Sequence, residues 1–260
     1  MNIVMLGHSG AGKTSYVSLM YAMLNDGAGG FRITAAPDDD LLLRSNAGEI
    51  RRGRYPYASS LRSSFDFMLR YAGADVFPFR WHDNRGAALE ERVRDSPQAA
   101  ELQADLRTAD GILLFVDSAD LLAGRADRAV RSLTTQVLRA LHARGRRLTP
   151  LAILLTKADL VDFSRPDVAA RLRAPFRPIV DTVARTLHVQ GTFVPVSCGP
   201  QPIGVRLPVL WMLHLGILNR ATSLSKTTAT TDGRAEAARL RHLVEPAERL
   251  GELLHRMDRF

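Results

Sequence analysis

The segment Gly7-His8-Ser9-Gly10-Ala11-Gly12-Lys13-Thr14 follows directly on the apolar run Ile3-Val4-Met5-Leu6, and the helical apolar pattern Val17, Met20, Tyr21, Leu24 follows directly on it. A buried strand, a glycine-rich turn and a helix in that order restrict the fold severely. The eight residues also fill every fixed position of the pattern Gly-x4-Gly-Lys-Ser/Thr. Glycines let the main chain curl until successive N–H groups converge on phosphate oxygens. Lys13 has the reach to contact terminal phosphates. The Thr14 hydroxyl suits Mg²⁺ at a helix N-terminus, where the dipole also favours anions. Gly7, Ser9, Gly10, Ala11, Gly12, Lys13, Thr14 and Ser15 are therefore the expected contacts of a nucleoside triphosphate.

Composition bounds what surrounds this turn. A chain of 260 residues with 46% hydrophobic content can bury one sizeable core. The single cysteine, Cys198, excludes an internal disulfide, and no apolar run approaches the ~18 residues that span a bilayer. The chain enters its first strand at once, which leaves no room for a leader, so a cytoplasmic location is expected. The net charge of +8 comes from 35 basic against 27 acidic residues. Its arginines are scattered and lack interleaved aromatic residues, which fits a solvated basic surface. A nucleic acid or an anionic surface remains a partner that no motif supports.

Elements alternate along the chain. Strand-like stretches fall at Asn2–Leu6, Ser64–Tyr71, Val76–His82, Ile112–Asp117, Leu151–Thr156 and Thr192–Ser197. Helical patterns lie at Gly12–Leu24, Pro97–Arg107, Ala126–His142, Pro166–Leu187 and Leu207–Leu218. Continuous Val/Ile/Leu runs in the later strands predict a mainly parallel sheet covered on both faces. The second and third strands, separated by Gly73-Ala74-Asp75, predict an antiparallel hairpin.

Further polar motifs sit at strand ends. Asp83-Asn84-Arg85-Gly86 follows the third strand, where a carboxylate can hold a Mg²⁺-bound water and a glycine amide can approach the third phosphate. Thr156-Lys157-Ala158-Asp159 follows the fifth. The Asp159 carboxylate can accept the ring and exocyclic N–H groups of guanine, and the Lys157 stem can lie over the base. Ser197-Cys198-Gly199 follows the sixth and can offer an amide to the guanine carbonyl. No His–acid pair accompanies Cys198, so it reads as part of that turn and not as a nucleophile.

On these four motifs, residues 1–219 resemble the Ras-like, translation-factor-related (TRAFAC) class of phosphate-loop GTPases. The Arg-rich segment before the second strand, with Gly53-Arg54-Tyr55-Pro56-Tyr57-Ala58-Ser59, resembles bacterial GTPases of the double-GTPase type, which are associated with conflict and defence gene clusters. The resemblance implies an α/β, three-layer fold: a six-stranded, mostly parallel sheet with one antiparallel strand and helices on both faces. It implies a Mg²⁺–GTP site in which Lys13, Ser59 and Gly86 serve the reaction and Thr14, Ser59 and Asp83 serve the metal. Gly86, Thr156, Lys157, Asp159, Ser197 and Cys198 would join the phosphate loop in binding GTP or GDP. It further implies a molecular switch with an effector or activating protein, or a second GTPase, as partner.

Two departures qualify the resemblance. Related proteins carry a threonine before the second strand, whereas only Ser59, Ser60, Ser63 and Ser64 are available here; Ser59 follows Pro-x-Ala and is the chosen ligand. Ala87 stands where many relatives place the glutamine that orients water, which implies slow hydrolysis. His82, Arg85 or a partner's arginine finger are the open substitutes. A phosphate-loop ATPase or kinase, or a nucleotide-binding scaffold with negligible turnover, are the alternative readings.

The domain is expected to carry an extended insertion at 31–58 containing a helix that begins at Pro37, with Asp38, Asp39 and Asp40 in its first turn. That helix either reports the nucleotide state or shields the site. Residues 220–233 read as a flexible linker from their Ser/Thr content, and 234–260 as an amphipathic helical segment with Leu240, Leu243, Val244, Ala247, Leu250, Leu254 and Met257 at heptad-like spacing. Pro246 either kinks that segment or starts a second helix, and the face docks on the domain or on another chain.

Overall fold

The computed structural model describes residues 1–56, 63–83, 97–143, 148–228 and 234–257. Seven strands form one sheet: β1 (Asn2–Leu6), β2 (Phe31–Ala35), β3 (Ser63–Tyr71), β4 (Ala74–Asp83), β5 (Gly111–Asp117), β6 (Thr149–Thr156) and β7 (Val189–Pro195), in the order β2-β3-β4-β1-β5-β6-β7. Strands β4, β1, β5, β6 and β7 pair in parallel, and β3 pairs antiparallel with both of its neighbours. A single strand therefore runs against the rest, as the resemblance implied.

The seventh strand corrects the expected six. It lies at Phe31–Ala35, inside the segment read as an insertion loop. Phe31 and Ile33 are fully buried while Arg32 is exposed, which is the period-2 pattern of a half-buried strand. The β3–β4 hairpin is also tighter than expected. Ala72 and Gly73 both take positive φ (48° and 86°), as a two-residue turn matched to strand twist requires.

Helices α1 (Lys13–Asn25), α2 (Pro37–Arg51), α8 (Leu207–Thr228) and α9 (Arg234–Met257) pack on one face, with α3 (Pro97–Thr108), α4 (Ser118–Leu122), α5 (Asp127–Ala143), α6 (Pro166–Arg173) and α7 (Arg177–Arg185) on the other. Alternate residues of the central strands supply both cores. Ile3, Met5, Phe115 and Leu154 point to the first face, and Val4, Leu6, Leu114 and Ile153 to the second. Strands β5 and β6 are buried along their whole length, so they read as unbroken apolar runs. The second core takes no residue from β2, β3 or β4, whose outer side carries Arg32, Asp66 and Arg80 in solvent.

Three boundaries differ from the sequence expectation. The segment Pro166–Leu187 is two helices joined by a 3-10 turn, Ala174–Phe176, because Pro175 and Pro178 have no N–H for the ladder. The linker expected at 220–233 is helical as far as Thr228. There Thr222 and Ser223 donate to the carbonyls of Leu218 and Asn219 (2.9 Å each), which satisfies hydroxyls that otherwise disfavour helix. Finally, α9 passes through Pro246 as one helix. Its Leu243, Ala247 and Leu250 are buried in the first core beside α8, so this face packs on its own chain.

Candidate functional site

The loop between β1 and α1 holds its shape through its own backbone. Gly10 and Gly12 sit at φ 76° and 84°, in the left-handed region where glycine carries no penalty. Gly7 is required for a different reason: a Cβ there would lie 2.9 Å from both Cβ and the carbonyl oxygen of Phe115 on β5. A Cβ at Gly10 would meet nothing within 4 Å, so the loop is open on its outer side. Lys13 folds back across the loop, and its Nζ donates to the carbonyls of Gly7 (2.7 Å) and His8 (3.2 Å).

The N-terminus of α1 has no side-chain cap: its cap residue is Gly12, and its first turn carries no acid. By contrast, α2 has three aspartates in its first turn, and α4 is capped by Asp117, which accepts from the amides of Ala119 (3.0 Å) and Asp120 (3.1 Å). An uncapped helix end that begins with lysine favours an anion by both its free N–H groups and its dipole. Ser9 is exposed, Thr14 is half-buried, and Ala11 and Ser15 are buried beneath the loop.

The second pole of the site lies at the ends of β5, β6 and β7. Thr156 is buried and its hydroxyl donates to the Val116 carbonyl at 3.0 Å, which joins the ends of two strands. Lys157 has φ 53°, an uncommon conformation for a residue with a side chain. Two contacts hold it there. Its Nζ lies 2.5 Å from the second oxygen of Asp117, and the next amide, that of Ala158, donates to Val196 at 3.1 Å. This places Asp159 exposed at the mouth, beside the β7 loop.

That loop closes on itself, since Ser197 and Ile203 exchange backbone hydrogen bonds of 3.0 and 3.1 Å. The Ser197 N–H is thereby committed within the loop. Burial, reinforced by the nearby Asp159 charge, pushes the Cys198 thiol up to about 12. At neutral pH it is a thiol and not a nucleophile.

The two poles meet. A Cβ on Gly12 would lie 3.8 Å from Cβ of Thr156, so the phosphate loop and Thr156–Asp159 form one continuous mouth at the C-terminal edge of the parallel strands, where α/β folds bind ligands. The backbone of Asp83 ends β4 opposite Met5 of β1, alongside this edge. Its side chain lies outside the described residues, as do Ser59, Ser60, Arg85, Gly86 and Ala87. Ser64 is exposed on β3, paired with His82.

Two contributors escaped the sequence reading. Asp117 holds both the α4 cap and Lys157; its one signal was an acid closing the apolar run of β5. Tyr55 brings its hydroxyl to within 3.6 Å of the position a Gly199 Cβ would take, so the chain leading to the serines leans on the β7 loop. Among the described residues no three His, Cys, Asp or Glu side chains are grouped to hold a metal ion. Of the expected cation ligands, only Thr14 has its side chain among the described residues.

The fold and this mouth define a phosphate-loop nucleotide-binding protein of the α/β class. The sequence profile of the Double-GTPase 1 family matches residues 4–163, more than half of the chain, and the chain belongs to that family of GTPases. No curated protein matches the sequence. Among solved structures, a chain of the signal recognition particle receptor SRb-GTP/SRX complex from Chaetomium thermophilum is 18% identical. The match covers 83% of this chain and 96% of that one, with a TM-score of 0.50. An ADP-ribosylation-factor-like protein, the small COPII coat GTPase SAR1 from Encephalitozoon cuniculi, is 15% identical over 75% of this chain and 68% of that one, at a TM-score of 0.38. A GDP-bound point mutant of NFeoB from S. thermophilus is 14% identical over 100% and 89%, at 0.39. At 18% identity the likeness to the first of these is one of fold. No helix among the described residues is long and apolar enough to cross a membrane.

Proposed function

We propose that this chain binds GTP with Mg²⁺, hydrolyses it slowly to GDP and phosphate, and works as a nucleotide-dependent switch. The observation that supports this most is the meeting of the phosphate loop with Thr156–Asp159 in one mouth. A polyphosphate seated on the uncapped end of α1 would leave its base between Lys157 and the amides of Cys198 and Gly199, with Asp159 reading guanine. Gly7, Ser9, Gly10, Ala11, Gly12 and Ser15 shape the cradle. Lys13 gives up one or both carbonyl contacts for the β- and γ-phosphates, and Thr14, Ser59 and Asp83 would hold the cation. Bound Mg²⁺ would offset phosphate charge.

Water attacks the γ-phosphorus, the bond to the β–γ bridging oxygen breaks, and GDP leaves carrying that oxygen. Lys13 stabilises charge that grows on the bridging and γ-oxygens, and the Gly86 amide would register the γ-phosphate. Alanine at 87 cannot orient the water as a glutamine there would, so turnover is slow unless His82, Arg85 or a partner's arginine substitutes. Loss of the γ-phosphate releases the segments around Ser59 and Gly86. An effector, an activating protein or a second GTPase would read that change, in the cytoplasm of a bacterium and in a regulatory or defence setting. Ala87 also favours one other reading, a nucleotide-dependent scaffold with negligible hydrolysis.

The test is fluorescent GDP binding with Mg²⁺, competed by GTP, GDP and ATP, followed by single-turnover hydrolysis. GTP and GDP should compete far better than ATP. Equal competition by ATP would overturn guanine selection, and release of no phosphate over hours would leave the scaffold reading.

A further inference from the structure

A cleft of about 780 Å³ opens at the opposite end of the sheet, where the parallel strands begin, between the α8–α9 pair and the starts of β1, β4 and β6. Nothing in the proposed reaction uses it. Phe77, Pro150, Leu215 and Leu243 give it an apolar floor. Gly216 lets Met1 close in on α8: a Cβ on that residue would lie 2.5 Å from the Met1 sulfur, so the Met1 side chain covers that part of the wall.

The rim is cationic. Arg220 projects from α8 and Arg239 from α9, and among the described residues neither carries an ion pair. Other arginines of the chain are ion-paired, as in Arg80–Asp66, Arg125–Asp120 and Arg249–Glu252. His242 also lines the rim, with Nε2 2.8 Å from the Asp75 carbonyl. The one acid in the lining, Asp110, is engaged by the Asn2 amide at 2.7 Å. A purely apolar guest would ignore two guanidinium groups, and a hydrophilic anion would leave the floor wetted.

We propose that this cleft is a second binding site, for an anionic amphiphile: an aliphatic body on the floor, with a carboxylate or phosphate head held by Arg220 and Arg239. The volume lies in the range of small-ligand pockets, roughly 300–1,000 Å³. Guanidinium groups grip planar or tetrahedral oxyanions through paired N–H donors. The head group can belong to a free fatty acid or to a membrane lipid.

The full chain is titrated with the anionic fluorophore 1-anilinonaphthalene-8-sulfonate and then challenged with dodecanoate, dodecanol, GTP, and vesicles of phosphatidylglycerol or phosphatidylcholine. One saturable site is expected, at least tenfold more sensitive to dodecanoate or phosphatidylglycerol than to their neutral or zwitterionic counterparts. It should weaken at least tenfold in Arg220→Gln/Arg239→Gln, with melting temperature and fluorescent GDP binding unchanged. Displacement by monomeric dodecanoate assigns a free acid, and displacement only by phosphatidylglycerol vesicles assigns a lipid. Equal displacement by dodecanol, displacement by GTP, or unaltered binding in the double variant would overturn the proposal.

Discussion

The two poles of the nucleotide mouth are built in different ways. The phosphate pole is nine consecutive residues, Gly7 to Ser15, whose chemistry is mostly main chain: left-handed glycines, an uncapped helix end and one lysine returning to its own loop. The base pole is assembled from three strand ends that are distant in sequence, and two side-chain contacts and one backbone bond tie them together. The Thr156 hydroxyl spans β6 to β5, Lys157 reaches Asp117, and the Ala158 amide reaches Val196. A contiguous backbone device tolerates changes in its surroundings, whereas an assembled one inherits the errors of every strand it borrows from. The first should fail at a single residue and the second by degrees.

Lys13→Ala should produce the largest effect. Losing a buried ammonium that serves phosphates is expected to weaken GTP by roughly 10²-fold or more and to abolish measurable turnover, read by titration with fluorescent GTP. Asp159→Asn should come next, weakening GTP by on the order of 10²-fold while improving xanthosine triphosphate. Unchanged base preference would remove Asp159 from the base pole. Asp117→Ala strips the α4 cap and the Lys157 partner together. A loss of about 1–2 kcal/mol in stability and a faster GDP off-rate are expected, measured by melting and stopped flow; an unaltered off-rate would show that Lys157 holds its conformation alone. The smallest functional effect should come from Gly7→Ala. It overpacks against Phe115 at a cost of about 1–3 kcal/mol and lowers the melting temperature, yet the protein that remains folded should bind GDP within a few-fold of the parent.

The same contrast explains how much is legible in the sequence. The phosphate loop is legible because its residue types are dictated locally, and β5 and β6 because burial on both faces leaves unbroken Ile/Leu/Val runs. Phe31–Ala35 is harder to see although Phe-Arg-Ile-Thr alternates cleanly; five residues behind Gly29-Gly30 resemble a loop until Leu69 and Tyr71 of β3 are placed beside them. The Ser/Thr content of 222–228 points to a linker because composition does not show hydroxyls turned back to carbonyls one helical turn earlier. At the site, Thr156, Lys157 and Asp159 announce themselves as a motif, while Asp117 does not. Its role exists only once β5 and β6 end in register, Asp117 opposite Thr156.

The contact of Gly7 with Phe115 separates two histories that a motif runs together. That glycine is imposed by the strand β5 packed against it and would be demanded whether or not any phosphate ever arrived, whereas Lys13 answers chiefly to the ligand. A descendant that drifted into a purely architectural role would be free to shed Lys13 while natural selection for folding still guarded Gly7. Among divergent copies of this chain, the lysine, not the glycine-rich outline, is therefore the mark of a lineage that still meets nucleotide.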